Sequence, residues 1–268
     1  MKTSKPLLLA ILVLFFMLWA PLGQFEFLVE HWMKIGTYAI PFMGIVIFAF
    51  NNSADDHSQF SNLRFLAVIL LIAYILHQFE EHWVDLFGNY YAFYAFNNNF
   101  ILNSLGKPDA SIKPLTKESI FVINTSLVWL VGLLALLRSP KHTFPLIAMV
   151  SIVFINGVVH VLAGLVKFQY NPGLLTSIVL FIPLYFWALK QLRNHIKNYK
   201  AHIIVGLVWA LLAHIIMVAG LLLANWFRVI PEFIYRLALV NWSITQIEIL
   251  RKSTRISLLK KTYQICFS

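Results

Sequence analysis

The chain has 268 residues, 60% of them apolar and 12% charged, about half the charged fraction of a soluble globular domain. So much apolar surface excludes a water-facing globule and points to lipid. The formal net charge of +10 comes without a nucleic-acid-binding motif, so nucleic acid is set aside as a partner, and the single cysteine, Cys266, excludes an internal disulfide.

A helix needs about 20 apolar residues to cross the hydrocarbon layer. Seven stretches come near that length. The first, Pro6–Phe25, has no charge; it is read as a retained span because Trp19-Ala20-Pro21 makes a poor cleavage site. The second, Ile35–Phe50, is short and interrupted by Pro41. The third starts at Phe65 and runs through Leu76 into His77–Trp83. Ser119–Leu137, Thr143–Val166, Gly173–Leu189 and Ile203–Phe227 follow.

The expected fold is therefore all-α: a polytopic transmembrane helix bundle of about seven spans, with six to eight allowed. Residues 1–62 form two N-terminal helices. Residues 63–189 form a core of four helices with an aromatic interfacial loop over 84–118. Residues 190–227 hold a basic loop and the seventh helix, and 228–268 a basic tail.

Lys and Arg counts set orientation. With the N-terminus inside, nine basic residues lie in inner connections (Lys2, Lys5, Arg64, Arg138, Lys141, Lys190, Arg193, Lys197 and Lys200). Five lie outside: Lys34, Lys107, Lys113, Lys117 and Lys167. This favours a cytoplasmic N-terminus. The basic tail argues the other way unless residues 229–250 re-enter or cross.

Charges attached to a span are costly and mark function by default. Glu80 and Glu81 are the acids that continue a spanning helix without a break residue. His77, Glu80 and Glu81 stand at i, i+3 and i+4, on one helix face. An imidazole with one or two carboxylates on a face is half of a divalent-metal site. Asn156 and His160 share a face of the fifth segment, where Gly157 and Gly164 admit a close neighbour. His77 and His160 each lie six residues before their helix ends, about 9 Å deep. Alternation places Asn124, Glu30 and His31 at that same membrane face. The bland alternative is a polar helix end hydrogen-bonded across the bundle, and His214 reads as a satisfied core histidine.

These residues resemble the integral membrane HXXEE family. The matching positions are His77-Gln78-Phe79-Glu80-Glu81-His82, Asn124, Asn156-x-x-x-His160 and Tyr170-Asn171-Pro172-Gly173-Leu174-Leu175-Thr176, over about Leu63–Leu189. The resemblance implies a multi-span protein of a bacterial cytoplasmic membrane whose His and Glu residues serve metal binding and enzymatic action. The expected assignment makes His77, Glu81 and His160 ligands of a divalent metal (zinc, iron or manganese), and Glu80 a ligand or general base. Asn124, Asn156, Tyr170, Pro172 and Gly173 would orient ligands or substrate, with His82, Glu30 and His31 as additional candidates. The expected partners are the lipid bilayer and a lipid-like small-molecule substrate. A proton- or ion-coupled transporter and a structural subunit of a membrane complex are the alternatives.

Overall fold

The computed structural model describes residues 25–52, 59–138 and 143–245. The expected first span, all but Phe25, and the end of the basic tail lie outside the described residues. Eight helices run through the rest: α1 (Glu26–Asn52), α2 (Gln59–His82), α3 (Ala92–Ser104), α4 (Lys117–Arg138), α5 (Phe144–Lys167), α6 (Leu174–His195), α7 (Tyr199–Trp226) and α8 (residues 232–245).

Among the described residues, five helices are long and apolar enough to cross a membrane: Leu63–His82, Lys117–Arg138, Phe144–Lys167, Leu174–His195 and Tyr199–Trp226. They correspond to the third to seventh segments read from the sequence, but Lys190–His195 continue α6 and Tyr199 starts α7 where a basic loop was expected. The expected second segment lies inside α1, which begins nine residues before Ile35 and passes through Pro41 without ending. A proline costs one backbone hydrogen bond, a loss that neighbouring helices can absorb in an apolar bundle.

The hydrophobic core lies between α2, α4 and α5, built on side chains such as Leu66, Leu70, Val131, Ile147 and Val153. Small residues let these helices close up. A methyl group on Gly132 would meet Leu71 of α2, and one on Gly157 would meet Phe181 of α6 at 3.1 Å. Gly164 faces Leu174 in the same way, so α5 and α6 are antiparallel neighbours. In contrast, α6 and α7 leave Ile178, Val179, Phe186, Ile204, Val208 and Ile215 exposed, as helices facing lipid do.

Among the described residues three helices widen locally, α7 at Leu222–Trp226 and two others nearer the middle of the chain. In α4 the stretch Asn124–Leu130 is π-helical, and so is Ser177–Phe181 of α6. Such turns free backbone carbonyls, which short hydroxyl side chains satisfy: Thr125 Oγ1 donates to Phe121 O and Ser126 Oγ to Val122 O. The π segments of α4 and α6 adjoin the polar cluster described below.

The long connection between α2 and α4 is ordered around its own polar side chains. Asp85 accepts from the backbone N–H groups of Phe87 and Asn89. Buried Asn98 of α3 donates to Leu115 O at 2.9 Å and accepts from Leu115 N at 3.0 Å. Asn98→Ala is expected to cost about 1–3 kcal/mol, because two buried backbone groups lose their partner. Faster hydrogen exchange over residues 105–116, with α2 and α5 unchanged, is the measurement that checks it.

After α7 the chain turns back. Tyr235 of α8 packs where a Gly220 side chain would stand and donates to Met217 O. Further on, Trp242 stacks on Trp209. Residues 232–245 therefore run antiparallel along α7.

Candidate metal centre

The C-terminal ends of α2, α5 and α7 and the N-terminal ends of α1, α4 and α6 meet at one end of the bundle. There α2 presents His77, Gln78, Glu80, Glu81 and His82, all buried. They are buried together because α1, α3, α4, α5 and α6 all pack around this last turn and a half of α2.

Glu81 is the centre of the group. Its Oε1 is 3.0 Å from His160 Nε2 of α5. Its Oε2 is 3.4 Å from His77 Nε2 and 3.3 Å from His82 Nε2. His77, Glu81 and His160 offer one ligand atom each, all within 4.8 Å of one another.

The outer nitrogens of both imidazoles are fixed. Asn171 Nδ2 donates to the His160 carbonyl at 3.0 Å, which turns Asn171 Oδ1 toward His160 Nδ1 at 2.7 Å. His160 Nδ1 therefore carries a proton and donates it. Likewise, the Thr176 hydroxyl donates to Glu80 Oε2, so its oxygen accepts from His77 Nδ1 at 2.8 Å. In a neutral ring with Nδ1 protonated, Nε2 is a bare lone pair. Two such lone pairs aimed at a buried carboxylate repel it unless a positive charge stands between them. Asn156 Nδ2, 2.9 Å from His77 Nε2, offers that ring a donor; among the described residues His160 Nε2 meets Glu81.

This donor set fits a divalent cation. Two imidazole nitrogens and a carboxylate suit zinc, iron or manganese, and bonds near about 2.1 Å are within reach after small side-chain shifts. Holding Nδ1–H by an acceptor is how proteins fix a ligating imidazole.

Glu80 points away from Glu81. It accepts from Tyr170 OH at 2.9 Å, from the backbone N–H of Leu175 at 3.0 Å and of Thr176 at 2.8 Å, and from the Thr176 hydroxyl. The acid thus caps the first turn of α6, where free N–H groups and the helix dipole favour negative charge. Burial pushes the Tyr170 phenol well above its ordinary pKa, so it remains a donor to Glu80 at neutral pH.

Asn124 accepts from Gln78 Nε2 at 2.9 Å, with its own amide nitrogen 3.4 Å from His82 Nε2, and Trp129 Nε1 donates to Gln78 at 3.0 Å. Trp32 of α1 packs on the His82 ring. Pro172 is buried in the turn that starts α6. Gly173, with φ +96°, has a backbone few other residues adopt. A Cβ there would stand 2.7 Å from both His160 Cε1 and His77 Cε1 and 3.0 Å from Glu81 Cγ. The turn therefore lies directly against the three candidate ligands.

Glu30 and His31 stand apart from this cluster. Glu30 pairs with Lys117 at 2.7 Å, and that ammonium holds its carboxyl below the usual carboxylate range. His31 packs edge-on against Phe27. Sequence reasoning assigned no role to Asn171, Thr176 or Gln78, although all three sit inside the segments that carried the resemblance. Their signal was a short polar side chain in a turn or next to a motif residue.

Residues 68–188 match the model of a family described as a protein of unknown function with HXXEE motif. The resemblance read from the sequence is thus borne out over the segment holding the whole cluster. No curated protein and no solved structure matches the chain.

Proposed function

We propose, for this bearer of the HXXEE-family segment, a membrane-embedded metal-dependent enzyme acting on a lipid-like substrate. One observation carries the reading: His77 and His160 hold their Nδ1 protons outward and turn both Nε2 atoms onto the Glu81 carboxylate. A divalent cation there would supply Lewis acidity and activate water near neutral pH.

The chain's own residues do the remaining work. Asn171 and Thr176 hold the two imidazoles in one tautomer. Glu81 supplies the negative charge that makes cation binding favourable at depth. Asn156, on the same helix face as His160, lies beside His77 Nε2 and can orient a substrate's polar group. Glu80 docks α2 on α6 and keeps Thr176 in place. On this reading Glu80→Gln keeps bound metal but loses about 2–4 kcal/mol of stability, since several charge-assisted hydrogen bonds weaken together. Thermal unfolding in detergent beside metal analysis checks both halves; loss of the metal with unchanged unfolding would assign Glu80 to the ligand set instead.

Metal content of the purified protein, measured by mass spectrometry, tests the proposal. About one ion per chain is expected, and its absence from the parent protein under metal-replete growth overturns the reading. A second reading has support in the same geometry, because a proton between His160 Nε2 and Glu81 would equally relieve their repulsion. The cluster would then belong to a proton-coupled carrier. Proton-driven uptake in liposomes, lost in Glu81→Gln, favours that alternative.

A further inference from the structure

Beside the His/Glu group lies a chamber of about 130 Å³, reached by Glu81 and Asn156 and walled by α2, α3, α4, α5 and α7. Its walls are chiefly apolar: Tyr74, Leu127, Val128, Ile152, Ala213 and Leu221. Gly173 closes the opposite side of the group, where there is no room even for a methyl. A molecule bound at Glu81 can extend into this chamber, whereas the Gly173 side is closed to it.

Resting on the metal-enzyme reading, we infer that the chamber is a specificity pocket for a compact apolar group of about six carbons next to the substrate's reacting polar head. Size decides this. A dry cavity of about 150 Å³ takes one benzene or a xenon atom, so 130 Å³ cannot hold the full chain of a membrane lipid. A short branched unit or a ring fits.

The rest of a larger substrate leaves through the outer wall. Val218 lines the chamber and is 47% exposed on α7. Met217, His214 and Ile101 beside it are half-buried, whereas Glu81, Leu127, Val128 and Ile152 are buried. The opening thus lies between α3 and the lipid-facing side of α7. His214 gives its Nδ1 to Ala210 O at 2.8 Å, which leaves Nε2 as an acceptor at that opening for a substrate donor. The polar head is placed by Glu81 and Asn156 at the other end.

Two measurements on the full-length protein test the pocket. Crystals under xenon pressure are expected to show one xenon among Val128, Ile152 and Ala213, absent in Ala213→Phe. Val218→Trp, at an exposed position that tolerates bulk, should reduce it if Ala213→Phe does not fold. Alkyl hydroxamates of two to ten carbons, titrated calorimetrically into metal-loaded protein, probe the head and pocket together. Affinity should rise about fourfold per added methylene up to six carbons and then level off, with Ala213→Phe flat throughout and serving as the control for detergent partition.

A rise that continues to ten carbons overturns the compact-group assignment in favour of a chain tunnel. Binding of acetohydroxamate with no rise and no xenon overturns the pocket while leaving the metal reading intact. Xenon in the chamber with no hydroxamate binding supports the pocket and sinks the metal reading.

Discussion

Replacing Glu81 with glutamine is expected to lower bound metal at least 100-fold, more than any other single change in the cluster. The carboxylate is the only negative charge among the three candidate ligands. It is also the group on which the Nε2 atoms of all three neighbouring imidazoles converge. Glutamine preserves shape while removing the charge that offsets a dication in a buried setting, where solvent cannot make up the difference. His77→Ala and His160→Ala each delete one ligand and should lower affinity about 10- to 100-fold or more. Asn171→Ala, which frees the His160 ring without touching a ligand, should fall in the same range at its lower end. Metal-to-protein ratios after dialysis against a weak chelator order the variants. Equal ratios throughout would assign the cluster a structural role. Since imidazole ligands must be neutral to bind, acidification should release the metal as well.

Gly173→Ala should be the most damaging substitution that changes no polar group. Its effect has two independent sources. The φ of +96° is unfavourable for any residue with a Cβ, costing about 1–2 kcal/mol. The new methyl would also stand 2.7 Å from two imidazole rings, and overpacking of this kind adds about 1–3 kcal/mol. The combined expectation is about 2–5 kcal/mol of lost stability together with displaced His77 and His160, hence lost metal. Gly106→Ala gives the comparison: its φ of +65° is also positive, but nothing lies within 4 Å of the added methyl. If the two variants lose equal stability and both retain metal, the contact with the rings is unimportant.

Several features of the molecule could be read along the chain because they depend on local spacing. The limits of α4 and α5, and the middles of α6 and α7, follow from uninterrupted apolar runs, since burying a backbone in lipid demands complete helical hydrogen bonding. The i, i+4 relation of His77 to Glu81, and of Asn156 to His160, is a property of any α-helix. Depth from the helix ends, with simple alternation of direction, was enough to place His77, His160 and Asn124 at one end of the bundle. Pro41, by contrast, was a poor guide to the second segment, because local propensity yields to packing in a bundle of apolar helices.

What the sequence alone determined, then, was an all-helical chain of apolar segments with His77, Glu80, Glu81 and His160 gathered at one level. It could not divide the work between Glu80 and Glu81. They are adjacent letters, and only the position of α6 sends the first to a helix N-terminus and leaves the second among imidazoles. The same holds for Asn171, Thr176 and Gly173, whose roles arise from a turn folding back over α2. Nor could any spacing reveal the chamber, which is a gap left where five helices fail to fill the space between them. Faces and depths are set by helix geometry; hydrogen-bond partners and empty volume are set by how the helices pack.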